Sequence, residues 1–578
     1  MTYTAVTFAP VQSFIRASRK LRDLYGSSLL LSHLARALAD DASRRGFLVI
    51  SPASVDSSRG VPNLLVIEGD YRRGYARETL LRTWKHLLEV CRLWVQAQFP
   101  DTAFDDWQSS WKACASHSWE LFHGQGSTIK QARDALIVNK QQRDWTIPNW
   151  TGESSTLSSA EAVVWPGMGA VRDPRDLPAG VVTVEGRKFL NNLRQHRSLG
   201  EAFAGINEEI SISELVKRLI TYRVIAAEAF KTDSDPTPDP NRLIPSRFQE
   251  LSMIAKENQA ENAQQSEAIV WFMADGDGIG EHLQSLAQKE GEKEALQNFS
   301  QAMRSWAAGL YDRVPAVMEK QAMVVYAGGD DLFGALHETV PGADDLTTDN
   351  LWRWLQQFPA IWQQCGQQNL TVSMGLVWAD AKVPQREALQ HARDAEASAK
   401  ARGKNRFALR LLYASGNHLE WTCPWDWLEP ILHAYTDREG RSLNTPSNLP
   451  SNPPSNRRPS HGGSPSWRHL AEDLQWLQSR QAIAQRAKQP AVAAAGPTPQ
   501  SQAAHATALA LWSAYFPGCV LPQQTTRPLS SYRACFEQPE QGRRFDQWLL
   551  DLGLVMAGLE KHAPPKAISR RNGEEVAA

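Results

Sequence analysis

The sequence predicts an α+β protein, and three features lead to that class. Between residues 268 and 412, apolar strands and helices follow the order β-α-β-β-α-β and then α-β, which begins as a ferredoxin-like split βαβ unit. The N-terminal residues repeat the start of that order, β-α-β-β. After Ser466 apolar residues recur at three- and four-residue spacing, the signature of amphipathic helices.

The elements follow in chain order. YTAVTFA is a strand, helices run to Arg45, and FLVIS and NLLVIEG are two further strands joined by SPASVDSSRGVPN, which holds no paired acids. KTDSDPTPDPN (Lys231 to Asn241) is a loop. AIVWFMA (Ala268 to Ala274) is apolar throughout, as in a strand covered on both faces, and ends in DGDGIG. A helical region broken near Lys289 to Lys293 resumes through ALQNFSQAMRSWAAGLYDRV. AMVVYA and LFGAL are strands around a GGDD turn, and LWRWLQQFPAIWQQ is a helix. LTVSMGLVWA is a strand, REALQHARDAEASAKARG a helix ending at a glycine, and NRFALRLL a final strand. The stretch from Arg438 to Ser466 repeats PSN three times and has almost nothing to bury, so it reads as disordered. KQPAVAAAGPTPQSQ (Lys488 to Gln502) is another loop.

Composition narrows the function. A chain of 578 residues, 42% hydrophobic, spans more than one domain. With 62 basic and 63 acidic residues it has no global basic field, so nucleic-acid contact is local or shared with a partner. No apolar run reaches the ~18 residues of a membrane span, and the N-terminus lacks a signal-peptide pattern, so no membrane partner and a cytoplasmic location are expected. The six cysteines form no C-x-x-C pair, which signals neither a zinc ribbon nor a disulfide framework. The 21 tryptophans read as core and interface anchors.

The chemistry concentrates in two acidic motifs. Asp275 ends one strand, and Asp330 and Asp331 lie at the hairpin beside it, so three carboxylates can converge. Such a cluster is costly without a cation, and hard oxygen ligands select Mg2+ or Mn2+. Gly328 and Gly329 permit the turn and remove side chains where a triphosphate approaches. The competing reading is an exposed turn with solvated acids. A metal here would serve phosphoryl transfer. Lys400, Lys404 and Arg406 in AKARGKNRF are candidates to hold phosphates, or else a cluster complementing a helix dipole.

DGDG, GGDD in a hairpin, S-x-G in a strand and AK-x-x-GKN together resemble the palm domain shared by GGDEF nucleotide cyclases and the large polymerase-like subunit of type III CRISPR effector complexes. FAPVQSFIRASRKLRDLYGSSLLLSHL (Phe8 to Leu34) resembles the opening signature of that subunit, closest to the type III-B branch. SISELVKRL and LIPSRFQELSMIA resemble weaker signatures of its middle domain. Diguanylate cyclases carry an aromatic residue after the acids, whereas Leu332 stands here.

The resemblance implies two ferredoxin-like palm domains, a small helical domain between them and an all-helical C-terminal domain. Expected bounds are 1–200 for a non-catalytic first palm, 201–265 for the small domain, 266–415 for the second palm and 416–578 for the last, including a disordered 438–466. It also implies ATP bound between the palms and, once target RNA pairs with guide RNA, synthesis of 3′-5′ cyclic oligoadenylate by two-metal nucleotidyl transfer. Asp275, Asp330 and Asp331 would hold metal and carry catalysis, with the Gly276 carbonyl assisting. Lys400 and Lys404 would hold the triphosphate, and Ser373 lies on the strand beside them. Implied partners are CRISPR RNA and target RNA, reached through the complex, with its backbone and small helical subunits. For Arg19, Lys20, Arg22 and Asp23 a solvated helix face and a role near ATP both stay open.

Two departures matter. The family signature starts at residue 3 and no His-Asp dipeptide occurs, so HD-type DNA cleavage is not expected. No cysteine lies between Cys114 and Cys365, so no zinc is expected. Two other readings are a catalytically silent scaffold of the same complex and a stand-alone nucleotide cyclase or AMP conjugase.

Overall fold

The computed structural model describes residues 2–562, except 54–59, 105, 143–152, 172–175, 179, 201–202, 206, 233–234, 245–268, 287–290, 320, 338–345, 368, 381–382, 444–464, 484–498 and 520–544. Most of LIPSRFQELSMIA and of the Pro/Ser-rich stretch, and much of the loop after Lys488, therefore lie outside the described residues.

The first sheet contains β1 (Tyr3–Ala9), β2 (Leu48–Ser51), β3 (Leu65–Glu68) and β4 (Glu120–Gly126) in the order β2-β3-β1-β4. Every pairing is antiparallel, which is the ferredoxin-like arrangement. Helices α1 (Gln12–Arg16) and α2 (Leu21–Arg44) link β1 to β2. Helices α3 (Arg73–Gln98) and α4 (Trp107–His117) link β3 to β4, and α5 (Ile129–Gln141) and α6 (Val181–Gln195) follow. Three short helices come next: α7 (Ile212–Leu219), α8 (Arg223–Ala229) and α9 (Pro240–Leu243).

The second sheet repeats the plan and extends it. It contains β5 (Ile269–Asp277), β6 (Ala322–Gly328), β7 (Asp331–Leu336), β8 (Thr371–Ala379), β9 (Arg406–Leu412) and β10 (His418–Pro424), in the order β10-β9-β8-β5-β7-β6. Its helices are α10 (Ile279–Leu286), α11 (Glu292–Val317), α12 (Thr348–Gln363) and α13 (Gln385–Ala401). The chain closes with α14 (Trp425–Ala434), α15 (Arg468–Ser479), α16 (Pro499–Tyr515) and α17 (Phe545–His562). Among the described residues, no helix is long and apolar enough to cross a membrane.

Alternation along the strands splits the second sheet between two cores. Trp271, Phe333 and Val377 face the core built around α2 and α3 of the first domain. Phe272, Leu332, Leu376 and Trp378 face a core completed by the C-terminal helices, with Trp421 and Trp548 among its members. Both faces are covered, which is why β5 reads as a continuous apolar run.

Three expectations are corrected. The strand β10 lies inside the stretch 416–578 read as all-helical, because alternate apolar residues of HLEWTCP pair antiparallel with β9. Residues flanking the Pro/Ser stretch are ordered, contrary to a disordered 438–466. The buried Asp437 carboxylate accepts from the backbone N–H of Glu439, Arg441 and Ser466. The segment RKLRD is not a solvated helix face, since Arg22 and Asp23 are buried. Asp23 is buried, caps α2 by accepting from the N–H of Arg19 and Lys20, and meets the Arg218 guanidinium at 2.6 Å. Arg218, 0% exposed, also donates to Glu208 at 2.6 Å and to the Phe203 carbonyl at 3.0 Å. Arg22 donates to Thr221, and Arg19 to the carbonyl of Thr156.

The neighbouring Lys217 Nζ donates to the carbonyls of Phe14 and Ala17. A methyl group on Gly26 would lie 2.0 Å from the Lys217 carbonyl oxygen, so the glycine lets α2 and α7 touch backbone to backbone. The two motifs, RKLRDLYG and SELVKRL, are two halves of one seam.

Candidate active site

The GGDD segment forms a two-residue hairpin turn. Gly328 pairs with Asp331, leaving Gly329 and Asp330 at the tip. Gly329 has φ +72° and Asp330 is not left-handed, the pattern of a type II′ turn that fits the twist of its strands. Nothing stands within 4 Å of a side chain built on Gly329, so the tip opens to free space. A methyl group on Gly328 would meet the Tyr326 hydroxyl at 1.9 Å, so the position has no room for a side chain.

Strand β5 runs through DGD instead of ending before it, because Thr371 to Ser373 of β8 continue the pairing and set Asp275 opposite Ser373. This register brings the acids together. A methyl group on Gly276 would lie 3.0 Å from the Asp330 Cβ. In its protonated form Asp331 donates a hydrogen bond to Asp275. Burial first, and then the Asp275 charge, push the Asp330 carboxyl up to about 6. Asp331 reaches solvent at the turn, yet its surroundings withhold enough water to raise its carboxyl too, with Asp275 and Asp330 adding to the effect.

Lys400 closes the cluster from α13. Its Nζ pairs with Asp275 and, at 2.8 Å, with Glu396 one turn earlier. Burial alone would lower the ammonium, but these two carboxylates hold it above its ordinary value. Glu396 went unremarked in the sequence, although Glu at i and Lys at i+4 was a readable helix pair.

The remaining residues take other places. Ser373 is buried and donates to Asp277 at 2.8 Å, not to the open site. Asp277 also accepts from Thr371 Oγ1 and from the Asn405 N–H, both at 2.9 Å. It thereby anchors the loop on which Lys404 and Asn405 hold left-handed φ of 62° and 50°. Lys404 is exposed on that loop. Arg406 is 1% exposed and donates to the Lys404 carbonyl, so it supports the loop and is not a phosphate-facing cation.

Gly375, the glycine of S-x-G, sets the position of α13. A methyl group there would lie 2.2 Å from the Glu396 nitrogen and 2.4 Å from the Ala392 carbonyl oxygen. Gly375→Ala is expected to lower stability by about 1–3 kcal/mol through overpacking, read from a thermal melt.

Among the described residues, no three His, Cys, Asp or Glu side chains stand in a ready ligand shell. The donor set still suits a hard divalent cation, since crowding and desolvation leave Asp330 and Asp331 short of positive charge that Lys400 only partly supplies.

Residues 268–408 match the model of the Cas10/Cmr2 second palm domain, and residues 3–57 match that of the N-terminal region of CRISPR-associated protein Cmr2. These two regions of the chain are of the Cas10/Cmr2 type. No curated protein matches its sequence. The fold of this chain is similar to one in the type III-B Cmr-beta cryo-EM structure of the apo state. There identity is 9% and the TM-score 0.54, over 97% of this chain and 82% of that one. The chain is also similar to Csm1 in T. onnurineus, at 14% identity and TM-score 0.42 over 96% of this chain and 69% of that one. A Csm1–Csm4 cassette in complex with one ATP matches at 14% identity and TM-score 0.43 over 96% and 70%. The Cas10/Cmr2 second palm model thus covers Asp275, Asp330, Asp331 and Lys400 together.

Proposed function

We propose that this Cas10/Cmr2-type chain makes cyclic oligoadenylate from ATP by two-metal nucleotidyl transfer, within a type III effector complex that holds guide RNA and is activated by target RNA. The observation that carries this reading is the convergence of Asp275 with Asp330 and Asp331 at an open type II′ turn beside Lys400. Asp275, Asp330, Asp331 and the Gly276 carbonyl would hold Mg2+ or Mn2+. When bound there, such a metal would supply positive charge against the triphosphate and would lower the pKa of the attacking 3′-hydroxyl.

The chain's own residues then have defined tasks. Gly329 keeps the tip free of side chains where the nucleotide enters. Lys400, held at the site by Asp275 and Glu396, is a positive charge that would face a phosphate oxygen. Lys404 offers a second cation from the loop that Asp277 and Ser373 anchor. The domain divisions, with a non-catalytic first palm and a helical C-terminal domain meeting small subunits, belong to the same proposal. So does the near-neutral charge, which leaves most RNA contact to partner subunits.

One observation favours the silent scaffold: Asp275 is already neutralised by Lys400. Mass spectrometry separates the two readings. The chain is incubated with ATP and Mg2+ or Mn2+, alone and in its reconstituted complex with guide and matching target RNA. Cyclic oligoadenylate is expected only with target RNA. A complex that assembles and binds target yet yields no nucleotide product establishes the scaffold instead.

A further inference from the structure

The connection between β2 and β3 of the first domain reaches the acidic turn of the second. At its far end Gly60 has a left-handed φ of 64°, and a methyl group there would lie 1.7 Å from the Ala327 carbonyl oxygen. Ala327 immediately precedes the GGDD turn. The contact is therefore backbone against backbone, with no room for adjustment by side-chain rotation.

Both ends of the connection are fixed. The Ala53 N–H donates to Ser300 Oγ at 2.9 Å, and Arg304 Nη1 donates to the Gly60 carbonyl at 3.4 Å. Ser300 and Arg304 are buried one turn apart on α11 of the second domain. The Val61 N–H donates to Ser32 Oγ on α2 of the first domain, at 3.2 Å. Lys293 of α11 pairs with Glu68 of β3 at 2.6 Å, which ties the two domains again beside this point. Meanwhile β6 is the edge strand of its sheet, paired on one side only, so the hairpin takes less support from the sheet than an inner strand would.

We propose that Gly60 is a positioning residue that seats the Ala327–Gly328 end of β6 and thereby fixes where Asp330 and Asp331 stand against Asp275. Movement of the first domain against the second then reaches the acidic turn directly through the backbone. The inference rests on the reading of that turn as the catalytic site.

Hydrogen–deuterium exchange on the full chain tests it without metal or nucleotide. The peptide covering 322–336 is followed in the parent, Gly60→Ala, Gly46→Ala and Ser300→Ala. Gly46 is the control: its φ is 85°, but nothing lies within 4 Å of an added methyl group, so alanine brings backbone strain with no contact. Gly60→Ala is expected to speed exchange at the turn by about tenfold. Ser300→Ala shifts it less in the same direction, and Gly46→Ala leaves it as in the parent. Exchange in Gly60→Ala equal to the parent, or matched by Gly46→Ala, overturns the proposal. If Gly60→Ala does not fold, unchanged exchange in Ser300→Ala overturns it alone. A Mn2+ titration followed by electron paramagnetic resonance runs beside this. A parent chain showing no Asp330-dependent Mn2+ binding refutes the metal reading, while the exchange result still decides the role of Gly60.

Discussion

Asp330→Ala combined with Asp331→Ala is expected to cut oligoadenylate synthesis by at least about a thousandfold, because several kcal/mol of charge stabilisation leave with the metal. Assembly of the complex should be unaffected, since both side chains stand at a hairpin tip away from the two cores. Product analysis and size-exclusion chromatography check the two halves. Stability moves the other way. Both carboxyls are raised in the folded chain, that of Asp330 to about 6. For an acid so raised, the folded state binds more protons than the unfolded one, and stability falls as pH climbs from about 4 to about 6. In the metal-free parent chain this site should therefore lower the melting temperature as pH rises through that window. The paired substitution Asp330→Asn with Asp331→Asn, which keeps the shape of both side chains and removes their charge, should abolish that slope. Saturating Mg2+ should raise the melting temperature of the parent only. A pH slope identical in parent and variant would show that the acids are well solvated and need no cation.

The same residues show how far sequence reading reaches. The hairpin turn was legible because two permissive glycines and two acids interrupt two apolar runs, though its type was not, and Asp275 was legible because it followed a fully apolar strand. Local pattern sufficed for both. Asp277 was not legible: DGDG presents two similar acids, and only pairing with β8 shows that one faces the open turn while the other is spent on Ser373, Thr371 and Asn405. Arg406 failed for a related reason, as a cation after GKN reads alike whether its guanidinium faces out or under the loop. The contact of Gly60 with Ala327 joins backbone atoms far apart in the chain and leaves no mark on composition or periodicity. RKLRD looks amphipathic by spacing, yet its acid pairs with an arginine 195 positions away.

That ion pair carries the second large effect. Arg218→Met is expected to destabilise the chain by about 3–5 kcal/mol, since it leaves Asp23 and Glu208 without the guanidinium they surround. Burial opposes ionisation of both acids, but Arg218 overrides it and holds both carboxyls below their ordinary values. In the parent this contribution is complete above the unfolded carboxylate range, about 4 to 4.5, and is lost as pH falls below it. In Arg218→Met the sign reverses, because an unpaired buried Asp23 prefers to be protonated and the variant recovers stability on acidification. The gap between the two chains should thus narrow between pH 7 and pH 4, measured by chemical denaturation at each pH. A gap that stays constant would mean that Arg218 contributes only its volume. Adding Asp23→Leu and Glu208→Gln to Arg218→Met should restore most of the loss, with a shortfall of about 1 kcal/mol because Asp23 also caps α2.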